Sequence, residues 1–234
     1  MVAAGKGPRR IMRAIAIGAA LVLATVSPAF AGSAGEYTFT VQSEGNRIGR
    51  HRIAFEHEGD RVEIQEMTEI EVSFATIPLY TFEHHARQLW RNGRAVRIDA
   101  TTNDNGERLE ITVHDTARGY VRIVNGRVDR FDESATVLAL WNKDTFDHDA
   151  FFSAVEDKSL NASFEYVGME KIVVAGRRLE TQHYRMVGDD EHELWFDPAG
   201  HLAKVSFRRY GATIEYVRDQ IEPRPPRSSC TVVC

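Results

Sequence analysis

The chain has 234 residues, of which 43% are hydrophobic, 27% charged and 9% aromatic, a balance typical of a globular protein. This composition excludes collagen, coiled-coil and low-complexity proteins. Residues 1–31 contain four basic and no acidic residues, so residues 32–234 hold 25 Lys and Arg against 34 Asp and Glu, a net charge of −9. Affinity for nucleic acid depends on cations that neutralise phosphates, so this acidic chain predicts no nucleic-acid partner.

The N-terminus has the pattern of a cleavable export signal. Basic residues up to Arg13 precede an apolar run of 13 residues, Ala14–Val26, and an Ala-Phe-Ala segment ends at Ala31. A membrane-spanning helix needs about 20 apolar residues, so the run is too short for a retained anchor. We predict cleavage after Ala31 and a periplasmic product without stable membrane insertion. The Arg9-Arg10 pair leaves the Sec and twin-arginine routes both open.

Apolar and polar residues alternate from Glu36 to Arg130, with the two-residue period that strands produce. Three Asn-Gly pairs, which favour two-residue hairpin turns, separate the alternating runs. These turns are Asn92-Gly93, Asn105-Gly106 and Asn125-Gly126. Pairing across the first two predicts one core-facing set of side chains, namely Val96, Ile98, Ala100, Ile111 and Val113.

The alternation stops near Ser134–Leu160, which predicts a short helical or irregular insert covering one end or face of the sheet. It resumes from Asn161 to Arg218, where turn pairing predicts a second core-facing set: Tyr184, Met186, Leu194, Phe196, Ala203, Val205 and Phe207.

The predicted fold is all-β, a single antiparallel meander of ten to twelve strands. Such a sheet must curl into a barrel or half-barrel to protect its edges. We predict a signal peptide over 1–31, one β-sheet domain over 32–221 and a proline-rich flexible tail over 222–234.

An ordered series of short motifs runs through the predicted domain. The motifs are Phe82-Glu83-His84, Gln88–Gly93, Thr102–Gly106, Trp141-Asn142, Thr181–Arg185 and Leu194–Asp197. In this series the chain from Glu36 to Tyr216 resembles the domain-of-unknown-function family numbered six-one-three-four, which comprises exported β-rich proteins of Gram-negative bacteria. The resemblance implies location and fold class but no activity, and Gln88 stands where the family pattern has an acidic residue. In shape alone, the chain is also similar to the half-barrels of periplasmic lipoprotein carriers.

Two adjacent histidines, His84 and His85, lie on a predicted strand, so their side chains point to opposite faces and cannot share a metal ion. The predicted register places His85 opposite Ala100 on the aliphatic face. His84 then lies on an aromatic face, opposite a strand that carries Arg97. An aromatic wall with a few polar anchors is typical of ligand sites, and a second core face packed by the insert is the alternative. The candidate ligand-binding residues are Tyr80, Phe82, His84, Trp90, Arg97, Trp141, Asn142 and Trp195.

The sequence contains no nucleophile motif, phosphate-binding loop or histidine spacing that indicates catalysis or metal binding. We therefore predict no catalytic residue, no metal site and no cofactor, with Glu83 and His85 as the single acid–base candidate. Cys230 and Cys234 lie in the tail, where an oxidising compartment favours an intrachain disulfide; a disulfide-linked dimer is the alternative.

Two functions fit these observations. The first is an exported, non-enzymatic binding protein for an apolar or amphipathic, lipid-like ligand. The alternative is an envelope structural or protein-interaction module with no small-molecule ligand, whose partner contacts a surface patch or the tail.

Overall fold

The computed structural model describes residues 34–75 and 77–225; the predicted signal peptide and both cysteines lie outside these ranges. Within them the chain forms 15 strands and one short 3₁₀ helix, Lys143–Thr145. The strands are β1 (Ala34–Ser43), β2 (Asn46–Glu58), β3 (Arg61–Phe74), β4 (Ile77–Arg91), β5 (Arg94–Asp104), β6 (Glu107–Thr116), β7 (Gly119–Val124), β8 (Arg127–Phe131), β9 (Ala135–Val137), β10 (Ala150–Phe152), β11 (Ser159–Val174), β12 (Arg177–Gly188), β13 (His192–Phe196), β14 (Leu202–Arg209) and β15 (Ala212–Arg218). In these two ranges no helix has both the length and the apolar character to cross a membrane.

All of these strands join one sheet, in the order β8-β7-β6-β5-β4-β3-β2-β1-β15-β14-β13-β12-β11-β10-β9. The first and last strands are neighbours, with Phe39 of β1 opposite Arg218 of β15. β9 runs parallel to β10 and also contacts β7, so the free ends of the sheet approach each other. The sheet is therefore a nearly closed barrel, and the predicted all-β barrel class is confirmed.

The three Asn-Gly turns have the predicted geometry. Both residues of each turn have positive φ, for example 50° at Asn92 and 73° at Gly93. Arg91 pairs with Arg94 across the first turn and Asp104 with Glu107 across the second, as predicted. Asn and Gly tolerate this left-handed backbone better than other residues, which explains why the chain reverses at these points.

One unpaired residue in β5 changes the face that β4 presents to the interior. Trp90 faces Ala95 while Leu89 faces Arg97, so Val96 forms a β-bulge. Ala95 is consequently buried, whereas Val96 is only partly buried. The predicted inward position of Val96 is therefore wrong, because a bulge shifts the alternation by one residue.

The same bulge overturns the predicted faces of the two histidines. Ala86, not His85, lies opposite Ala100, and His84 faces inward opposite Thr102. His85 is exposed on the outside of the barrel. The aromatic face of β4 and the aliphatic face of β5 and β6 therefore lie on the same side of the sheet, and both line the interior of the barrel.

The insert fills that interior and does not cover an outer face. Val137, Phe151 and Phe152 are fully buried, and the edge of the Trp141 ring packs on Trp90. Arg122, itself 3% exposed, donates to backbone carbonyls of the insert at both Ser153 and Lys158. The expected short helical or irregular character of residues 134–160 agrees with these elements.

Two buried clusters stabilise the barrel. The first contains Ile98, Ala100, Ile111 and Val113 together with residues of β1–β4 and the insert. The second contains Met186, Leu194, Phe196 and Val205, against which Tyr184 and Phe207 pack. With the fully buried Ala203, it matches the second predicted core-facing set.

The first residues of the predicted tail contact the barrel. Arg224 and Glu36 exchange two backbone hydrogen bonds, of 2.8 and 2.9 Å. This bridge holds the end of the described chain beside the start of β1.

Candidate ligand-binding site

A cavity of about 260 Å³ opens at the end of the barrel that carries the turns at Gly93 and Gly200; we call it the end cavity. Its wall is mostly apolar: Tyr37, Phe39, Ile53, Phe55, Val62, Ile64, Trp90, Trp141 and Leu202. Polar side chains lie around its mouth: His57, Asn142, Lys143, Asp144 and His201. Pockets for drug-sized ligands occupy about 300–1,000 Å³, so this volume suits a small ligand or one apolar segment of a longer one.

Strand alternation and the insert together build this wall. Inward positions of β2 and β3 supply the aliphatic and aromatic side chains, and the insert brings Trp141 to within 5.1 Å of Trp90, ring centroid to ring centroid. Asn142 begins the 3₁₀ helix by accepting a hydrogen bond from the backbone N–H of Asp144. A Cβ at Gly93 would lie 2.7 Å from Asp144 Oδ2, so glycine at the turn allows the insert to close against the barrel.

A buried ion pair supports the wall from behind. Arg218 Nη1 lies 2.8 Å from Asp197 Oδ2, and the guanidinium lies 4.5 Å from the centre of the Tyr37 ring. Tyr37 Oη is 3.1 Å from His201 Nδ1. Burial raises the pKa of Tyr37 to about 12 and lowers the pKa of His201, so both side chains are neutral at pH 7.

A second polar group lies deeper in the barrel, around Glu66 of β3. Glu66 Oε2 accepts a hydrogen bond of 2.8 Å from Gln88 Nε2, and Gln88 Oε1 accepts one of 2.8 Å from Trp90 Nε1. His51 Nε2 is 3.9 Å from Glu66 Oε1. This chain of contacts connects the wall of the end cavity to the centre of the barrel.

Two histidines in this region are each held through Nδ1 by a threonine hydroxyl. His51 bonds to Thr68 and His84 bonds to Thr102, both at 2.9 Å. The rings of His51 and Tyr216 meet edge to face, with centroids 5.5 Å apart. We call Glu66, His51, His84 and Tyr216 the Glu66 group.

Burial dominates the ionisation of this group. It raises the pKa of Glu66 to about 7, against a lowering effect of the Gln88 hydrogen bond. It lowers the pKa of His51 to about 3 and of His84 to about 4, and it raises the pKa of Tyr216. Both histidines and the tyrosine are therefore neutral at pH 7, while Glu66 is divided between its acid and its carboxylate.

The structure divides the predicted ligand residues among three places. Trp90, Trp141 and Asn142 line the end cavity. Tyr80, Phe82 and His84 lie on the inward face of β4, towards the opposite end of the barrel.

Arg97 and Trp195 lie on the outer face of the sheet, where Arg97 is exposed and Trp195 is 8% exposed because neighbouring side chains cover it. Arg97 pairs with Asp99 there, because it alternates with the buried Ile98 on β5 and the Val96 bulge places the aromatic residues of β4 on the Ile98 side. Trp195 stacks on His183 and donates to Glu170, away from the barrel interior. The structure therefore does not bring these two residues to the aromatic wall.

The sequence analysis did not identify Glu66 and His51 as candidate site residues. The alternation of β3 could have identified Glu66, because it occupies the inward position between Ile64 and Thr68. The other inward residues of this strand are Val62 and Ile70. A carboxylate at an inward strand position is rarely buried without a role or a partner.

The acid–base candidate from the sequence is at the surface, since both Glu83 and His85 are exposed. Across residues 34–75 and 77–225, no three His, Cys, Asp or Glu side chains are placed to hold a metal ion.

Fold and site together define a barrel-like all-β protein with an apolar cavity at one end and a buried polar group at its centre. The model of the family described as a domain of unknown function, DUF6134, matches residues 39–219, well over half of the chain. The chain therefore belongs to this family, and the resemblance read from its motifs is confirmed.

The fold is similar to that of a solved β-barrel-like protein of another domain of unknown function, DUF1849, from Brucella abortus. The TM-score is 0.51 at 9% identity, over 83% of this chain and 98% of that one. At this identity the likeness shows the fold alone. No curated protein matches the chain.

Proposed function

We propose that this protein is exported to the periplasm and binds an apolar or amphipathic small molecule in the end cavity, without catalysing a reaction. The observation that carries the proposal is the construction of that cavity, with aromatic and aliphatic walls and polar side chains confined to the mouth. Small-molecule sites are commonly built in this way, with few polar groups that orient one end of the ligand.

The expected ligand follows from the volume and the lining. At ~30 Å³ per water molecule, the end cavity has room for about nine waters. Apolar burial contributes about 0.8 kcal/mol per CH₂, so a six-carbon segment would gain about 5 kcal/mol before the cost of association. Lys143 and Asn142 at the mouth would then contact the polar end of an amphipathic ligand.

A protein-interaction module is the second candidate, and one surface favours it. β11 exposes four large apolar side chains, Tyr166, Val167, Met169 and Val173, each at least 49% exposed. Large exposed apolar side chains concentrated on one strand are common at contact sites for other macromolecules. This function requires no ligand in the end cavity.

A matched pair of substitutions tests the binding proposal. Val62 lines the end cavity, whereas Val128 on β8 is 47% exposed outside it. We expect Val62→Trp to fill the cavity and abolish binding of the fluorescent apolar probe N-phenyl-1-naphthylamine, and Val128→Trp to leave binding unchanged. Circular dichroism verifies that both variants fold.

Native mass spectrometry of the protein purified from the periplasm provides the complementary test. We expect a mass for residues 32–234 plus a bound apolar molecule. Probe binding by folded Val62→Trp at the wild-type level, together with a ligand-free native mass, would contradict the proposal and favour the interaction module.

A further inference from the structure

The Glu66 group presents four polar atoms that have no hydrogen-bond partner among the described residues: Glu66 Oε1, His51 Nε2, His84 Nε2 and Tyr216 Oη. All four atoms keep some solvent-accessible surface, because none is among the fully buried, unpartnered side-chain atoms of the described residues. Each therefore borders space that a water-sized probe can enter. Glu66 and His51 retain 18% and 12% of their side-chain exposure, although they lie within the barrel.

Towards the end of the barrel opposite the end cavity, the inward side chains beyond the Glu66 group are only partly buried: Ile70, Phe82, Phe207, Ile214 and Tyr216. Phe39, Ile53, Ile64 and Trp90, each at most 7% exposed, form an apolar layer on the side of the end cavity. We call the space bounded by the Glu66 group and these partly buried side chains the Glu66 chamber.

Hydrogen bonds determine which ring nitrogen of His84 carries the proton. The Thr102 hydroxyl donates its single proton to the carbonyl of Val155 at 2.9 Å. It must then accept from His84 Nδ1, so the neutral His84 ring carries its proton there and presents a lone pair at Nε2. His84 and the Glu66 carboxylate both offer acceptors to the chamber.

No cation in the described residues balances Glu66. Its one hydrogen-bond donor is the neutral amide of Gln88, and the closest ionisable nitrogen is that of His51, which burial keeps neutral. Arg209, whose charge acts on the neighbouring Tyr216, is paired with Glu156 at 2.7 Å. Arg52, which borders a cavity that Glu66 also lines, is paired with Glu36 at 3.1 Å. A buried carboxylate without a counter-charge is costly, so it takes up either a proton or a cation.

We propose that the Glu66 chamber binds the ammonium group of an organic amine that carries an apolar chain. The ammonium would donate to Glu66 Oε1 and His84 Nε2, and the aromatic rings of Phe82 and Tyr216 would face its charge or chain. The two ends of the barrel then hold separate sites, so this inference stands independently of ligand binding in the end cavity.

Proton competition follows from this assignment. Glu66, with its pKa raised to about 7, is an acid at pH 6 and a carboxylate at pH 8. Simple alkylamines, like the Lys side chain with its pKa near 10.4, are protonated at both values. The other groups facing Glu66, namely His51, His84 and Tyr216, stay neutral between pH 6 and 8. Amine affinity should therefore rise about tenfold between pH 6 and 8.

Three probes with one chain and different heads test the proposal: n-octylamine, n-octanol and octanoate. Isothermal titration calorimetry at pH 8 should show that the wild-type protein binds octylamine most tightly. Glu66→Gln, which removes the charge but keeps the shape, should weaken octylamine at least about tenfold and leave octanol unchanged. The matched control is Glu63→Gln, on the outward face of the same strand with a side chain 53% exposed.

Several outcomes would overturn the proposal. The first is that octanol or octanoate binds the wild-type protein as tightly as octylamine does. The second is that Glu66→Gln binds octylamine with an affinity within twofold of the wild type. The third is that the affinity of the wild type for octylamine does not change between pH 6 and 8. If Glu66→Gln does not fold, the wild-type pH profile and the ranking of the three probes decide the question. Octylamine binding that survives Val62→Trp supports a separate chamber, and its loss would place the amine in the end cavity and refute the assignment.

Discussion

Replacing Glu66 with Gln should change the pH dependence of folding stability in a defined direction. Glu66 ionises at its ordinary pKa of 4.5 in the unfolded chain and at about 7 in the folded barrel. Between these values the folded protein retains a proton that the unfolded chain has lost. Raising the pH through this window therefore removes stability, and the Gln variant cannot undergo this loss.

The magnitude follows from the size of the pKa shift. Each pH unit within the window corresponds to about 1.4 kcal/mol, so a shift from 4.5 to about 7 amounts to roughly 3 kcal/mol. The lowered pKa values of His51 and His84 destabilise the fold as the pH falls below about 6.5, but equally in both proteins. The difference between Glu66→Gln and wild type isolates Glu66.

Urea unfolding at a series of pH values between 4 and 8 measures this difference. We expect the stability of Glu66→Gln relative to wild type to increase by about 3 kcal/mol from pH 4.5 to pH 7.5. Glu63→Gln, at an exposed position, should give a nearly constant difference. A constant difference for Glu66→Gln, within about 0.5 kcal/mol, would show that Glu66 is well solvated and would refute the reasoning from burial.

Two further predictions concern the ion pair and the tail. Arg218→Met should lower the free energy of unfolding by about 3–5 kcal/mol, because it leaves Asp197 buried without its counter-charge, and adding Asp197→Asn should recover part of the loss. Denaturant unfolding of the single and double variants checks this, and an unperturbed single variant would contradict it. If the protein is exported as proposed, Cys230 and Cys234 should react with maleimide only after reduction, as mass spectrometry would show; labelling without reduction would refute the predicted disulfide.

The predictable part of this fold depends on turns and alternation. The Asn-Gly pairs fixed the β4–β5 and β5–β6 hairpins because few residues other than Asn and Gly tolerate their backbone angles. Alternation then identified the core-facing residues of β12–β14, where Met186, Leu194 and Phe196 are fully buried.

The error in the predicted inward and outward faces of β4 came from a single residue, Val96. Val96 looks like any inward strand residue, and nothing local marks it as a bulge, yet it reverses the inward and outward faces of β4 relative to β5. That reversal placed His85 on the surface and His84 in the interior, and it separated the aromatic residues of β4 from Arg97 on the outer face of β5. The Glu66 group escaped prediction for another reason, since it combines residues of β2, β3, β4 and β15 that only the closed sheet brings together.

The pairing of β1 with β15 determines when the protein can acquire its shape. Thr40 and Asp219, which share a hydrogen bond of 2.8 Å, are 179 positions apart in the chain. Local hairpins form early in folding, but a contact of this separation must wait until almost the entire chain has been synthesised. A ribosome-bound chain that has not yet reached Asp219 would therefore carry an unfinished, open sheet.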